Sequence, residues 1–349
     1  MVRAGREGQQ EPLNLESGTA TIGWNVGDLS GISSRDGVRE LMEAASPEDS
    51  PERLANHTGQ VWAFCSKIEI GDIVIMPSKL KPGYIYLGEC TGPYRYVASE
   101  VDPTRRHQLP VKWKDDPTSK AVIKDDLLYS LNAIMTVFNP TRNGAAERLR
   151  SLYETGTDPG SLNIGTSVSQ PPRNELNSLA AEVTDPDPTP TLDAIRDRIR
   201  THLVENFGDH KLTRLIAEIL EVLGFRCEVS PSGPDGAVDI LAGSGPLGLD
   251  SPTLIVEVKS EPGPIDVKVV RGLHSAMTQY RADQALLVGW GGVTRPAAQE
   301  FRRDRTSLRI WDSEEILNRL FETYDRLPAD TRIRIPLKQA WVLDEENSR

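Results

Sequence analysis

The segment from Gly233 to Ser260, GPDGAVDILAGSGPLGLDSPTLIVEVKS, places Asp239 in one predicted strand and Glu257 and Lys259 in the next. Side chains two positions apart on a strand share a face, so Glu257 and Lys259 point together while Val256 and Val258 face the other side. Two carboxylates and an ammonium at one end of a sheet suit metal-assisted phosphodiester hydrolysis. The carboxylates supply oxygen ligands for a hard cation, and the ammonium positions water and faces the phosphate. The triplet by itself carries little weight. In a chain with 11 lysines and 51 acidic residues, acidic-x-Lys arises by chance, and three copies occur: Asp209-His210-Lys211, Glu257-Val258-Lys259 and Asp266-Val267-Lys268. Only the middle copy closes an apolar strand (LIVEVK) preceded by a strand with its own Asp. The competing reading of that copy is a surface ion pair at a strand end.

The elements that must hold these residues are legible around them. From His210 to Gly224, Leu212, Leu215, Ile216, Ile219, Leu220 and Leu223 recur at helical spacing, and Gly224 stops the helix. Strands follow at FRCEVS (225–230), AVDILA (237–242) and TLIVEVK (253–259), then a helix over Val267 to Tyr280. A strand at QALLVGW (284–290), a helix over Thr294 to Arg303, a strand at SLRIW (307–311) and a helix over Ser313 to Leu320 complete the series. The pattern predicts an α/β domain with a central mixed sheet.

Residues 210 to 312 resemble the Mrr-type restriction endonuclease family of the PD-(D/E)xK nuclease superfamily. The likeness rests on Leu223-Gly224-Phe225, on the turn and strand from Gly233 to Asp239, on the Pro246-Leu247-Gly248 loop, on Glu257-Val258-Lys259-Ser260 and on GWGGVT (289–294). It implies a restriction-endonuclease-like domain that cleaves DNA with Mg²⁺, or Mn²⁺ in its place. Asp239 and Glu257 would be the metal ligands, and Lys259 would orient or activate water and steady the scissile phosphate. Many members carry an acidic residue near the start of the first helix where this chain has Thr213; Glu218 lies farther along on the polar side. Asp235 reads as a turn-shaping residue. Arg295, Arg302, Arg303, Arg305 and Arg309 form a local basic patch for phosphates or a solvated helix face.

The first 150 residues are different in kind. Short apolar and aromatic stretches, ATIGWN (20–25), QVWAFC (60–65), DIVIMP (72–77), YIYLGE (84–89), YRYVAS (94–99) and LPVKW (109–113), predict a small β-barrel or sandwich. Helices are expected over Arg35 to Leu54 and near Asp126 to Met135. Trp62 with Phe64, Tyr84 with Tyr86 and Tyr94 with Tyr96 read as i, i+2 pairs on strand faces. With Trp24 and Trp113 they are candidates for stacking on an extruded base, or else ordinary core, and His107 is a candidate for a pocket or phosphate contact, or else a structural strand histidine. Gly23-Trp24, Trp62-Ala63-Phe64, Gly71-Asp72 and the stretch from His107 to Trp113 resemble the PUA/EVE-like barrels fused to some modification-dependent nucleases. That resemblance implies a reader of modified bases, most often modified cytosine.

Composition sets the limits. The chain has 349 residues and a net charge of -11, against a protein that coats polyanions non-specifically, and no apolar run long enough to span a bilayer. Residues 151–190, rich in Pro and carrying one basic and six acidic side chains, read as a linker between residues 1–150 and 191–349. The three cysteines lack CxxC spacing and the polar start lacks a signal-like apolar core, which points to the cytoplasm. The leading expectation is a modification-dependent DNA endonuclease acting against foreign DNA, as a homodimer if both strands are cut. Its rivals are a signal-gated antiphage nuclease, whose barrel binds a nucleotide effector, and a non-catalytic nucleic-acid-binding protein with the nuclease fold.

Overall fold

The computed structural model describes residues 1–133, 135–161, 191–230, 238–302 and 306–341. They form two units, one of residues 1–118 with the described part of 123–194, the other of residues 119–122 with the described part of 195–343. Most of the expected linker, together with Asp235, Arg303 and Arg305, lies outside the described residues.

The first unit contains α1 (Glu11–Ser17), β1 (Thr19–Ile22), α2 (Arg35–Ala45), α3 (Pro51–Ser66), β2 (Ile73–Pro77), β3 (Tyr84–Cys90), β4 (Arg95–Tyr96), β5 (His107–Trp113), β6 (Thr118–Ser119), α4 (Asp125–Leu131) and α5 (Ala145–Thr155). Its strands run β1-β5-β3-β2, with β4 on β5 and β6 on β3. The result is a curled antiparallel half-barrel where a small barrel is expected. One predicted strand is corrected outright: QVWAFC is the last part of α3. Ser50 accepts the N–H of Arg53 and Pro51 opens the first turn, a strong helix start. Leu54, Thr58 and Val61 then form a buried stripe at i, i+4 and i+7. Trp62 and Phe64 therefore diverge by about 200° around a helix and share no strand face.

The second unit contains α6 (Leu192–Asn206), α7 (His210–Val222), β7 (Arg226–Val229), β8 (Ile240–Ser244), β9 (Asp250–Lys259), α8 (Val267–Tyr280), β10 (Gln284–Gly289), α9 (Arg295–Phe301), β11 (Leu308–Trp311), α10 (Ser313–Thr323) and α11 (Ala329–Arg334). The sheet order is β11-β10-β9-β8-β7, parallel across β9, β10 and β11 and antiparallel across β7, β8 and β9. This is the expected mixed sheet. Helices cover both faces. Leu254 and Val256 of β9 pack with Leu212, Ile216 and Leu220 of α7 and with α10, while Ile255 packs with Val270 and Leu273 of α8. The alternation along β9 thus sends Val256 and Val258 to the α7 side and puts Glu257 and Lys259 in phase with Ile255.

Candidate active site

Asp239 lies just ahead of β8, not inside it, yet the ladder already holds it. Its N–H donates to the Val256 carbonyl at 2.8 Å and its own carbonyl accepts from Ser230. Its carboxylate oxygen Oδ2 accepts the N–H of Val258 at 2.7 Å, which fixes the side chain beside the Glu257–Lys259 stretch. Glu257 is 6% exposed, and its Oε1 stands 2.9 Å from the Lys259 ammonium. Its other oxygen, Oε2, is buried with no hydrogen-bond partner. The structure therefore brings Asp239, Glu257 and Lys259 together at the carboxyl end of β9, next to the end of parallel β10, where Glu257 pairs with Leu287 and Lys259 with Gly289. Open α/β sheets bind their ligands at such strand ends.

Charge at this corner is uneven. Burial raises the Glu257 pKa above its ordinary value; Lys259 offsets part of the rise and the Asp239 charge adds to it. Burial disfavours the Lys259 ammonium, but the hydrogen bond and charge of Glu257, with the charges of Asp239 and Glu261, outweigh that and raise its pKa. Lys259 is consequently a held cation at neutral pH. A buried carboxylate oxygen without a partner is costly. A divalent cation accepting that oxygen and the Asp239 carboxylate would remove the cost, so the residues present fit a hard, oxygen-liganded ion. Among the described residues no three His, Cys, Asp or Glu side chains form a ready cage, so water and phosphate oxygens would complete the shell.

The GWGGVT segment supports the site from beneath. A Cβ on Gly291 would stand 2.3 Å from the backbone of Gly263, in the loop that leaves β9, and a Cβ on Gly289 would meet Ile265 at 2.4 Å. Ile265 in turn donates to Gly292 and accepts from Thr294. Only glycine lets the two chains approach this closely. Gly291→Ala is expected to destabilise the second unit by about 1–3 kcal/mol, measured as a fall of several degrees in its thermal midpoint.

On α7, Thr213 is buried. Glu218 does not stand in for an acid at that position: its carboxylate accepts from the Thr331 hydroxyl and faces Arg334, both on α11. Asp209, the N-cap of α7, accepts a hydrogen bond from Ser260 Oγ at 3.4 Å, directly after Lys259.

In the first unit the structure gathers part of the aromatic set. Tyr94 and Tyr96 both lie against His107, with ring centroids 6.0 and 5.1 Å away. His107 is fully buried; its Nδ1 meets the Tyr94 hydroxyl at 2.8 Å and its Nε2 the Val26 carbonyl at 3.3 Å. Burial lowers its pKa, which keeps the imidazole neutral. With both nitrogens engaged, His107 ties β5 to the chain after β1. Trp24 lies edge-on to His57, and Trp113 donates its indole N–H to the Thr19 carbonyl. Trp24, Trp62, Tyr94 and Trp113 are half-buried on the same core as Phe64 and Leu109. A cavity of about 410 Å³ in this unit lies elsewhere, lined among others by Val2, Lys67, Asp72, Val137 and Arg150.

Comparison with known families bears on both units. The family described as "Restriction endonuclease" matches residues 204–320, which span α7 through β11 and contain Asp239, Glu257 and Lys259. Residues 204–320 are an Mrr-type restriction endonuclease domain. Ahead of this endonuclease domain, residues 4–137 match a family described only as a domain of unknown function, so the PUA/EVE likeness gains no support. No curated protein matches the chain significantly. The solved structures similar to the chain include the following three. AF1548, a protein of unknown function, aligns at 14% identity and a TM-score of 0.27 over 35% of this chain and 76% of its own. The DNA modification-dependent restriction endonuclease AspBHI aligns at 16% and 0.31 over 82% and 74%. The MspJI restriction endonuclease, in complex with a 27-mer oligonucleotide, aligns at 15% and 0.30 over 71% and 59%. At these scores the three likenesses carry no argument of their own.

Proposed function

We propose that the chain is a modification-dependent DNA endonuclease in which the endonuclease domain hydrolyses a phosphodiester and the first unit selects DNA carrying a modified base, cytosine-derived in the first instance. The observation that carries the reading is the Glu257 carboxylate: buried, tied to Lys259 through one oxygen and unpartnered at the other, beside Asp239 and inside the endonuclease domain. Asp239 and Glu257 would hold a divalent cation, Mg²⁺ or Mn²⁺. Such an ion polarises the phosphate, lowers the pKa of bound water and neutralises developing charge. Lys259, kept cationic by its carboxylate neighbours, donates to the attacking water or a phosphate oxygen and steadies the negative charge that builds there. The Val258 N–H holds the Asp239 carboxylate in one orientation. Two such sites, hence a homodimer, would cut both strands, and defence against foreign DNA in the cytoplasm is the setting that fits.

The test is incubation of the full chain with Mg²⁺ and matched duplexes bearing cytosine or modified cytosine. Cutting confined to the modified duplex is the expected result. Equal cutting of both would overturn the selection, and no cutting of either would overturn the enzyme reading. One observation favours a second reading, a DNA-binding protein without turnover: a buried threonine, Thr213, stands where the Mrr-type resemblance implies an acid. Metal-independent DNA binding with no product would select it.

A further inference from the structure

A buried carboxylate holds the turn between β2 and β3. Glu11, 2% exposed at the start of α1, accepts the Ser78 hydroxyl at 2.6 Å through Oε1. Its Oε2 accepts the backbone N–H groups of Lys79 and Leu80 at 3.1 and 3.4 Å. The Ser78 hydroxyl oxygen in turn accepts the Lys81 N–H at 2.8 Å. Four consecutive residues are thus tied, directly or through Ser78, to one charge that is costly to bury, and a turn so held keeps one conformation. What it presents is Leu80, 60% exposed, between two lysines. Residues 77–84 carry no acidic side chain. Lys81 lies over the Tyr84 ring, 3.7 Å from its centroid, and Lys79 meets Asp193, in the part of α6 that belongs to the first unit, at 2.9 Å. The Lys79–Asp193 pair is partly exposed, and such pairs contribute little, so another anion can take the place of the carboxylate. One residue before Glu11, the Gln10 side chain accepts from Arg105 Nε at 3.0 Å, which brings a third cation to the start of α1. An apolar side chain at a rigid, lysine-flanked tip contributes little to folding while it stays in water. It suits a groove of duplex DNA, where apolar wedges meet bases and sugars and lysines meet the phosphates.

We propose that the β2–β3 turn is a DNA-docking element of the first unit, in which Leu80 enters a groove of the duplex and Lys79 and Lys81 engage phosphates on either side. The inference rests on reading the first unit as the part that selects DNA, and adds the surface that takes up the duplex. Asp193 then competes with phosphate for Lys79, and Glu11 keeps the tip in its docking shape. The element is independent of the aromatic set around His107, whose side chains are engaged with one another.

The experiment is the affinity of the full chain for fluorescent duplexes bearing cytosine or modified cytosine, read by anisotropy across a salt series without divalent metal. The proteins are wild type, Lys79→Ala, Lys81→Ala, Leu80→Ser, Asp193→Asn and, as a control on α2, Arg39→Ala, each with a melting curve. Lys79→Ala and Lys81→Ala are expected to weaken binding of both duplexes and each to lower the slope of log affinity against log salt by about one. Leu80→Ser should weaken binding about 10-fold at an unchanged slope, the scale of one apolar side chain returned to water. Asp193→Asn should tighten binding, opposite in sign to Lys79→Ala, whereas a pair that serves folding alone moves both variants the same way. Arg39→Ala should bind as wild type does. Wild-type affinity and slope in both lysine variants, as for a turn that docks a protein partner, would overturn the role of the turn alone, and so would weakened binding in Asp193→Asn. Absence of DNA binding by the wild type would overturn it together with the selecting role of the first unit.

Discussion

Lys259→Ala is expected to slow DNA cleavage by at least about 100-fold, the scale on which single donors to a developing oxyanion act. The charged neighbours of Lys259 favour one of its two proposed roles. A lysine acting as a general base must be neutral near the working pH. Glu257, Asp239 and Glu261 instead raise the pKa of Lys259. On the proposed function its work is then electrostatic, and two further results are expected. The cleavage rate should show no rising limb toward alkaline pH attributable to a deprotonating lysine. Lys259→Arg, which keeps the charge but changes its geometry, should retain more activity than Lys259→Ala. Single-turnover cleavage from pH 6 to 9, with melting curves to confirm folding, checks both. Wild-type rates in Lys259→Ala would remove Lys259 from the site.

How far this arrangement was legible in the sequence depends on the kind of signal. The Glu257–Lys259 pair could be read because β9 is a two-sided strand whose apolar phase leaves one acid and one lysine in register, and a period of two fixes faces without tertiary knowledge. The α7 stripe was equally plain: Leu212, Leu215, Ile216, Ile219 and Leu220 are all buried. Residues 60–65 misled because Val, Trp and Phe favour strands locally. The Ser50-Pro51 start, ten residues upstream, carried the helical information, and tertiary packing of Leu54, Thr58 and Val61 decided the outcome. The burial of His107 was invisible, since a strand histidine in a basic stretch gives no hint that the Val26 carbonyl and the Tyr94 hydroxyl will enclose it.

Glu257→Gln should abolish metal-dependent cleavage and yet leave the metal-free protein at least as stable as wild type at neutral pH. Burial dominates the environment of this carboxylate, and Lys259 does not fully compensate it, so its folded-state pKa lies above the unfolded value. For a group shifted in that direction, its contribution to stability is fully present below the ordinary carboxylate pKa and is lost as pH rises through the folded-state pKa. Glutamine mimics the protonated form at every pH. The variant and the wild type should therefore melt together in acid and separate toward neutral pH, with the variant the more stable. Divalent cation reverses the order, because it binds the ionised carboxylate of the folded wild type and stabilises that state by mass action, about 2.7 kcal/mol at a hundredfold excess over the dissociation constant. Acid should weaken this stabilisation at pH values above those where an ordinary glutamate titrates, since protons compete for a carboxylate whose pKa is raised. Melting curves at pH 5 and 7.5, each with and without Mg²⁺, give four midpoints per protein. A Gln variant that gains as much from Mg²⁺ as the wild type would show that Glu257 is not a ligand. A variant less stable than wild type in metal-free neutral buffer would show that the Lys259 ion pair outweighs the burial of the carboxylate.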